Sequence, residues 1–331
     1  MEIHLKNIGM IKEANVKLDG LTVIAGENDT GKSTVGKALY LALKSMPHKN
    51  DNKNLLSRIG HIGINIIFKL DRFPQNSILE ITEGSKRYSY DGHNPIMNIS
   101  SDSKLKMEDI GIKDVIFVET PLVWNFSDFF RDIALIESQI NIEVNYPYLM
   151  KDLNFKLFIK NAIKGVDIKN KMTSLMGGRF EKDEKGSYFF NRNGKRIELV
   201  NIATGIKMFG IFQVLSQNNY LNKDTVLILD EPEVHLHPKW QLEMAKVIVE
   251  LVKNGVKVLV NSHSPYMIEA LQRYAELEKV IVDFYLAEDG YIKKVNEDNS
   301  ETLAKIFGKL SEPFELFEDM DSERMGKLIN G

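Results

Sequence analysis

The segment "GENDTGKST", residues 26–34, constrains the fold of this chain more than any other part of its sequence. It follows the pattern G-x-x-x-x-G-K-[ST], with the apolar run "LTVIA" before it and a helical pattern over residues 31–46 after it. Glycines let backbone N–H groups curl around a phosphate chain, and the start of a helix adds partial positive charge. The pattern therefore predicts a phosphate-binding loop, with Lys32 on the β- and γ-phosphates of ATP and Ser33 on Mg²⁺. The residues predicted to bind the nucleotide here are Gly26, Asn28, Gly31, Lys32, Ser33 and Thr34.

A second segment, "LILDEPEVHLHP" at residues 227–238, concentrates acidic and imidazole side chains. Such groups can hold zinc or iron, so a transition-metal site is one interpretation. The four apolar residues before Asp230 instead predict a buried strand beside the strand of the phosphate-binding loop. That placement would bring Asp230 to the same Mg²⁺ as Ser33, and it would let Glu231 polarise the attacking water. We therefore predict Mg²⁺ carried by ATP rather than zinc held by imidazoles.

The two histidines of this segment, His235 and His237, precede Pro238, which is typical of the first position of a helix. They are expected to lie in the connection between strand and helix as packing or capping groups. Transition-metal ligands and a contact between two copies of the chain are the alternatives.

A third segment, "VLVNSHSP" at residues 258–265, ends a buried strand with polar residues. Polar groups at the carboxyl ends of neighbouring parallel strands face a common crevice. His263 is therefore predicted to bond the γ-phosphate, and the predicted catalytic residues are Lys32, Glu231 and His263.

Alternation of buried strands with helices predicts an α/β fold with a parallel-type sheet. "INIIFKL" (64–70) and "SILEIT" (77–82) are predicted strands of a small β lobe, and residues 127–176 are predicted to be mostly helical. Residues 177–200 read as an antiparallel meander. A hairpin and short helices are predicted after Tyr274.

The composition excludes several classes of site. The chain has 331 residues and no cysteine, so disulfides, thiolate nucleophiles and cysteine-held metals are excluded. The net charge of −3 gives no overall basic field for nucleic acid or membrane. We expect a cytoplasmic protein without a membrane segment, since the N-terminus lacks the apolar core of a signal peptide and no run approaches about 18 apolar residues.

The order of these segments resembles the ABC-type P-loop ATPase heads of the SMC, RecF and OLD proteins. "GENDTGKST", "ILDEPEVHLHP", "NSHSP" and the "NIATGIKMFGIF" segment at 201–212 carry the resemblance. It looks most like compact OLD-like ATPases, several of which serve in anti-phage defence. The resemblance implies an ATPase head with a mixed central sheet, a small antiparallel β lobe and a helical lobe. The chain would form one domain over 1–331. Its parts would be the phosphate-binding loop and β lobe (1–125), the helical lobe (126–176), the signature, Walker B and switch region (177–295) and the C-terminal helices (296–331).

The resemblance also implies that two copies pair head to tail, with the signature segment of one copy covering ATP on the other. Thr204, Gly205 and Lys207 would then contact the partner's nucleotide. The sequence departs from the family pattern at Ala203, where the family has serine. No glutamine follows the strand "DVIFV", where Glu119, Thr120 and Pro121 stand instead. Both departures predict slow hydrolysis.

The stretch between Lys32 and Gly205 leaves room for a small lobe but not for a long coiled coil, and we expect no nuclease domain after His263.

The predicted function is an ATP-dependent switch or sensor that forms a homodimer or a larger oligomer and controls a separately encoded effector. The role in phage defence is implied by the resemblance. The alternatives are a RecF-like ATPase that binds DNA, the ATP subunit of a transporter, and a scaffold that binds ATP without hydrolysis. The DNA interpretation would use a lysine stripe, although such a stripe is more often a solvated helix face: Lys156, Lys160, Lys164, Lys169 and Lys171.

Overall fold

A computed structural model describes residues 1–46, 64–91, 98–99, 105–130, 132–133 and 147–329. Eleven strands form one main sheet and three more form a small separate sheet. The main sheet has the order β6-β5-β4-β1-β2-β14-β13-β3-β12-β11-β7. Its strands are β1 (Glu2–Ile8), β2 (Ile11–Lys17), β3 (Leu21–Ala25), β4 (Ile78–Glu83), β5 (Lys86–Asp91), β6 (Asn98–Ile99), β7 (Asp114–Val118), β11 (Thr225–Asp230), β12 (Lys257–Ser262), β13 (Val282–Glu288) and β14 (Tyr291–Lys293).

The centre of the main sheet is parallel. β13, β3, β12, β11 and β7 pair in parallel, whereas β1, β2, β4, β5 and β6 pair antiparallel. All residues of β3 and β11 are buried, as expected for parallel strands that helices cover on both faces. The predicted α/β class with a mixed sheet is confirmed.

The order of the central strands corrects one expectation. β11 was predicted beside β3, but β12 lies between them and pairs with both. The strand that ends before His263 is therefore the direct neighbour of the strand that leads into the phosphate-binding loop. The apolar pattern identified these strands as buried but could not specify their order.

Helices cover both faces of the main sheet. α1 (Lys32–Ser45) packs on one face, where Val35 and Leu39 join a buried cluster with β1 and β2. On the other face a second buried cluster joins the helices after residue 147 to the small sheet. The helices after α1 are α2 (Ile64–Ile67), α3 (Tyr148–Phe158), α4 (Lys169–Met176), α5 (Thr204–Gln217), α6 (Pro238–Lys253), α7 (Pro265–Glu278) and α8 (Ser300–Ile329).

The small sheet contains β8 (Arg179–Lys182), β9 (Tyr188–Arg192) and β10 (Lys195–Glu198) in the order β10-β9-β8, with antiparallel pairing. This confirms the predicted meander. Phe180 packs into Gly210 of α5 so closely that a Cβ on that glycine would lie 2.2 Å from the ring. The small sheet is thus fixed against the helix that begins at Thr204.

Two predictions about elements were wrong. The segment 64–70 contains the short helix α2, with Ile64 and Ile67 buried at helical spacing, and no strand. A single 30-residue helix, α8, follows β14 where short helices were predicted. Residues 127–176 are mostly helical where the structure describes them, as predicted, with a non-helical stretch at 159–168, and residues 131 and 134–146 lie outside the described residues.

Four charged side chains tie α1, β7 and α3 together under the main sheet. Lys44 lies 2.8 Å from Asp114, and Lys156 lies 2.7 Å from Asp152 and 3.3 Å from Asp114. Burial alone would raise the pKa of Asp114, but the ammonium groups of Lys156 and Lys44 hold that pKa below its usual value. The four charges compensate one another, as buried ions must.

Among the helices that the structure describes, none combines the length and apolar character needed to cross a membrane.

Candidate functional site

The phosphate-binding loop joins the end of β3 to the start of α1. A Cβ on Gly26 would lie 2.3 Å from the carbonyl oxygen of Ala287, so only glycine fits there. Gly31 has φ 93°, in the left-handed region, and a Cβ there would lie 2.5 Å from Ile11 Cδ1. Both glycines of the motif are therefore required by the close approach of neighbouring strands as well as by the turn.

Lys32, the first residue of α1, is 4% exposed. Its Nζ donates to the carbonyl oxygen of Gly26 at 3.0 Å, which directs the ammonium into the loop. Burial lowers the pKa of this ammonium, and the carboxylates of Glu231 and Asp230 partly offset that effect. The loop thus holds a desolvated cation facing the carboxylates at the end of β11.

Ser33 and Asp230 meet as the sequence predicts. Ser33 Oγ donates to Asp230 Oδ1 at 3.0 Å, and Asn261 Nδ2 donates to the same oxygen at 2.8 Å. Burial raises the pKa of Asp230, which is 6% exposed, although both hydrogen bonds act in the opposite direction. A hydroxyl and a carboxylate side by side are oxygen ligands of the type that Mg²⁺ prefers.

Glu231 and His263 lie next to these residues at the rim. Glu231 has φ 51°, a conformation that is uncommon outside glycine, and its N–H donates to the carbonyl of Asn261 at 2.9 Å. Its Oε1 lies 3.2 Å from His263 Nδ1, and the two side chains are 31% and 37% exposed. A partly exposed carboxylate beside an imidazole can accept a proton from water and present a second polar group to a ligand.

Two other predicted loop residues are near the site without a distinctive contact. Asn28 is exposed at the tip of the loop, and Thr34 packs beside the turn at Gly9, where a Cβ would lie 3.2 Å from its Cγ2. Their contacts with nucleotide stay predictions.

Sequence reasoning missed Glu233, which is 4% exposed and follows Asp230 by three positions. Its Oε1 accepts from Ser262 Oγ at 2.7 Å and from the N–H of His263 at 2.9 Å. The third acidic residue of a Pro-containing loop looks like a surface residue, and nothing in the sequence indicates burial. Its partners come from β12 and become apparent only in three dimensions.

The signature residues lie apart from the phosphate-binding loop. Gly205 packs on Leu236, and Lys207 is buried with its Nζ donating to Asn125 Oδ1 at 2.7 Å. Within the described part of the chain, no hydrogen bond or ion pair joins Thr204, Gly205 or Lys207 to residues 26–34. Their contact with nucleotide therefore stays a prediction that requires a second copy of the chain.

Ala203 is the N-cap of α5, and no side chain caps this helix end. β7 is followed by Glu119, at the position where the family pattern has a glutamine. Glu119 lies 3.6 Å from Lys37 Nζ, and its negative charge acts to raise the pKa of Asp230. The site thus carries an extra carboxylate where the family pattern has an amide.

The histidines of the connection differ from each other. His237 is the N-cap of α6 and its Nδ1 accepts from the N–H of Lys239 at 3.3 Å, which confirms the predicted capping role. His235 is exposed and has φ 67°, so its side chain does not pack in the core as was considered. Over the described ranges, no three His, Cys, Asp or Glu side chains are arranged to hold a metal ion.

The lysine stripe considered for DNA binding is not a stripe. Lys156 is 2% exposed and paired with Asp152, and Lys171 pairs with Glu250. Lys160 and Lys164 lie in the non-helical stretch between α3 and α4, so the assumed helical spacing does not hold. The helical spacing considered for the DNA-binding alternative therefore does not hold, because it assumed a continuous helix.

Comparisons with known proteins agree with an ATPase. Residues 132–268 match the family described as AAA ATPase domain. The matched range is less than half of the chain and does not include the phosphate-binding loop. This match bears out the prediction that the chain is an ATP-hydrolysing enzyme. No curated protein matches the chain.

Several solved structures are similar at low identity. An SMC head bound to the C-winged helix domain of ScpA is 14% identical, with TM-score 0.48, over 92% of this chain and 98% of that one. The SMC head domain from Thermotoga maritima is 14% identical, with TM-score 0.45, over 89% and 98%. An ATP-binding cassette of an ABC transporter in its ADP conformation is 13% identical, with TM-score 0.40, over 93% and 98%. These likenesses are too distant to assign chemistry to individual residues.

Proposed function

We propose that the chain binds ATP with Mg²⁺ at the carboxyl ends of β3, β11 and β12 and hydrolyses it slowly. The observation that carries the proposal is the convergence of Lys32, Ser33, Asp230, Glu231 and His263, which come from three separate parts of the sequence. The donor set fits the ligand, because a buried ammonium and loop amides suit phosphate oxygens, while Ser33 and Asp230 suit Mg²⁺.

Each side chain has a distinct task in this proposal. Lys32 neutralises phosphate charge, and Ser33 and Asp230 hold the cation, which supplies further neutralisation when bound. Glu231 orients the attacking water and accepts its proton, since its carboxylate is partly exposed beside the buried Asp230. His263 donates to the terminal phosphate from the loop after β12.

We further infer that a second copy completes the site. Ala203 is exposed at the start of α5, whose uncapped N–H groups are free to meet an anion from another chain. The dimer would be an ATP-dependent switch in the cytoplasm that controls a separately encoded effector. A role in phage defence rests on the resemblance to OLD-like ATPases alone, and the paired lysines described above do not favour the DNA-binding alternative.

Replacement of Lys32 tests the nucleotide site. Lys32→Ala should weaken ATP binding by roughly 10-fold to 150-fold, because a bond to a charged group contributes about 1.5–3 kcal/mol and the buried phosphate would lose its counter-charge. Calorimetric titration with ATP and Mg²⁺ measures the Kd. Lys17→Ala, at an exposed lysine on β2, is the control and should bind as the parent does. An unchanged Kd for Lys32→Ala would contradict the proposed site.

A further inference from the structure

Glu233 is a buried carboxylate that the chemistry above does not use. It lies in the turn after β11, its side chain is 3% exposed, and its Oε1 accepts the two hydrogen bonds from Ser262 and His263. An isolated buried carboxylate destabilises a fold unless hydrogen bonds and opposite charge compensate it. Burial raises the pKa of this carboxyl, and the bonds from Ser262 and His263 act against that effect.

The compensation around Glu233 is incomplete. Its Oε2 is buried and has no hydrogen-bond partner among the residues that the structure describes. The nearest basic group is the imidazole of His263, whose Nδ1 lies 3.7 Å from Oε1. The ammonium of Lys32 in the phosphate-binding loop interacts electrostatically with three carboxylates, those of Glu231, Asp230 and Glu233. The carboxylate therefore faces the site rather than a structural ion pair.

The loop that carries His263 is attached to this carboxylate at several points. Besides the bonds from Ser262 Oγ and from the His263 N–H, the N–H of Ser264 donates to Ser262 Oγ at 3.1 Å. Ser264 Oγ in turn donates to Gln241 Oε1 of α6 at 2.6 Å. Glu233 thus holds Ser262 and the backbone of His263 directly, and Gln241 holds the loop at Ser264.

The imidazole itself is held between two carboxylates. Its Nδ1 is 3.2 Å from Glu231 Oε1 and 3.7 Å from Glu233 Oε1, and this nitrogen is buried. Because the side chain is nevertheless 37% exposed, the exposed part of the ring consists of atoms other than Nδ1. The negative charge therefore lies on the buried side of the ring, and the other edge of the ring is left to face a ligand.

We propose that Glu233 is the positioning residue for His263, fixing its loop through Ser262 and the His263 N–H and orienting its ring through the negative charge beside Nδ1. The inference rests on the proposed function, since it assigns Glu233 a role in hydrolysis through His263 and without contact with the nucleotide.

The test compares Glu233→Gln, Glu233→Ala, His263→Ala and the double variant Glu233→Gln/His263→Ala. The glutamine keeps an oxygen that can accept both hydrogen bonds but removes the charge. We expect Glu233→Gln to lower kcat by roughly 10-fold to 100-fold, the range found when a group that orients a functional side chain is lost, with KM for ATP changed by less than about 2-fold. In the His263→Ala background, the same substitution should cause no further loss, because its effect passes through the imidazole.

Glu243→Gln, at a partly exposed acid of α6 paired with Lys246, is the matched control and should retain parental kcat. Thermal melting of each variant shows whether it folds, and Glu233→Ala serves only to measure the structural part of the role. Parental kcat in Glu233→Gln would overturn the inference, as would a loss that adds in full to that of His263→Ala. Absence of turnover in the parent protein would instead refute the proposed function, and the inference would fall with it.

Discussion

Asp230 ends a strand whose six residues are all buried, and its carboxylate consequently has little access to water. Burial raises its pKa above the value of about 3.9 that an unfolded chain would show. A group of this kind favours folding when protonated, and that stability is lost as the pH rises from the unfolded pKa through the raised folded pKa. Asp230 therefore contributes less stability above that range than below it, which is consistent with a carboxylate retained to hold a cation.

We predict that Asp230→Asn raises the melting temperature of the nucleotide-free protein at neutral pH and lowers turnover by at least about 100-fold. The amide removes the cost of a buried charge and can still accept from Ser33, but it loses the charge interaction with Mg²⁺, which is worth several kcal/mol. Differential scanning calorimetry and phosphate release at several Mg²⁺ concentrations measure the two effects. Asp19→Asn, at an exposed acid, should change neither. A variant that melts lower and hydrolyses normally would show that Asp230 is a structural residue.

At the residue scale, the sequence predicted the pairing of Ser33 with Asp230 and missed the residues around His263. Ser33 and Asp230 could be paired because each belongs to a motif with a fixed position relative to its strand. Glu233 could not be recognised, since its burial depends on Ser262 from another strand. Lys156 was misread for the same reason, as its acidic partners Asp114 and Asp152 remove it from the surface.

At the scale of single elements, local pattern succeeded where a motif or a clear period marks the element and failed where the pattern is ambiguous. The helix predicted over 31–46 is α1 at Lys32–Ser45, and the run "LTVIA" coincides with β3, both within the usual uncertainty of helix and strand ends. "INIIFKL" was ambiguous, because a short apolar run fits either a strand or a helix. Burial of Ile64 and Ile67 at helical spacing against α1 decides for the helix.

The start of α5 is the element on which the predicted slow hydrolysis depends. We predict that Ala203→Ser raises ATPase activity roughly 10-fold if serine donates to the phosphate of a partner's ATP, since a bond to a charged group contributes about 1.5–3 kcal/mol. The structure adds a second expectation, because residue 203 is the N-cap of α5. A serine there should stabilise the helix by about 0.5–2 kcal/mol even without nucleotide.

Measuring both turnover and melting temperature separates these effects. An increase in melting temperature alone, of roughly 2 °C for each kcal/mol in a chain of this size, would mean that the serine caps the helix and does not touch nucleotide. If Thr204 already supplies the hydroxyl, Thr204→Val should lower turnover and Ala203→Ser should leave it unchanged. If neither substitution alters turnover, the signature segment does not contribute to hydrolysis.

At the scale of the whole molecule, the sequence predicted the class of fold but not how its parts connect. The continuous main sheet places the strands of the predicted β lobe beside β1, and β12 separates β3 from β11. Strand order follows from long-range pairing, which local patterns do not encode. The charged group of Lys44, Asp114, Asp152 and Lys156 likewise joins α1 to α3, so a change at the phosphate-binding helix is physically connected to the helical lobe.

The central claim is that ATP, held by one copy, brings two copies together until Glu231 allows hydrolysis. Sedimentation velocity of Glu231→Gln with and without Mg²⁺-ATP tests it most directly. Loss of a positioned base is typically worth ~10²–10⁴-fold in rate, so the variant should keep ATP bound. We predict a dimer with Mg²⁺-ATP, a smaller species without nucleotide or with Lys32→Ala added, and nearly no phosphate release. A Glu231→Gln protein that binds ATP yet sediments identically in both conditions, or that hydrolyses ATP at the parental rate, would contradict the account.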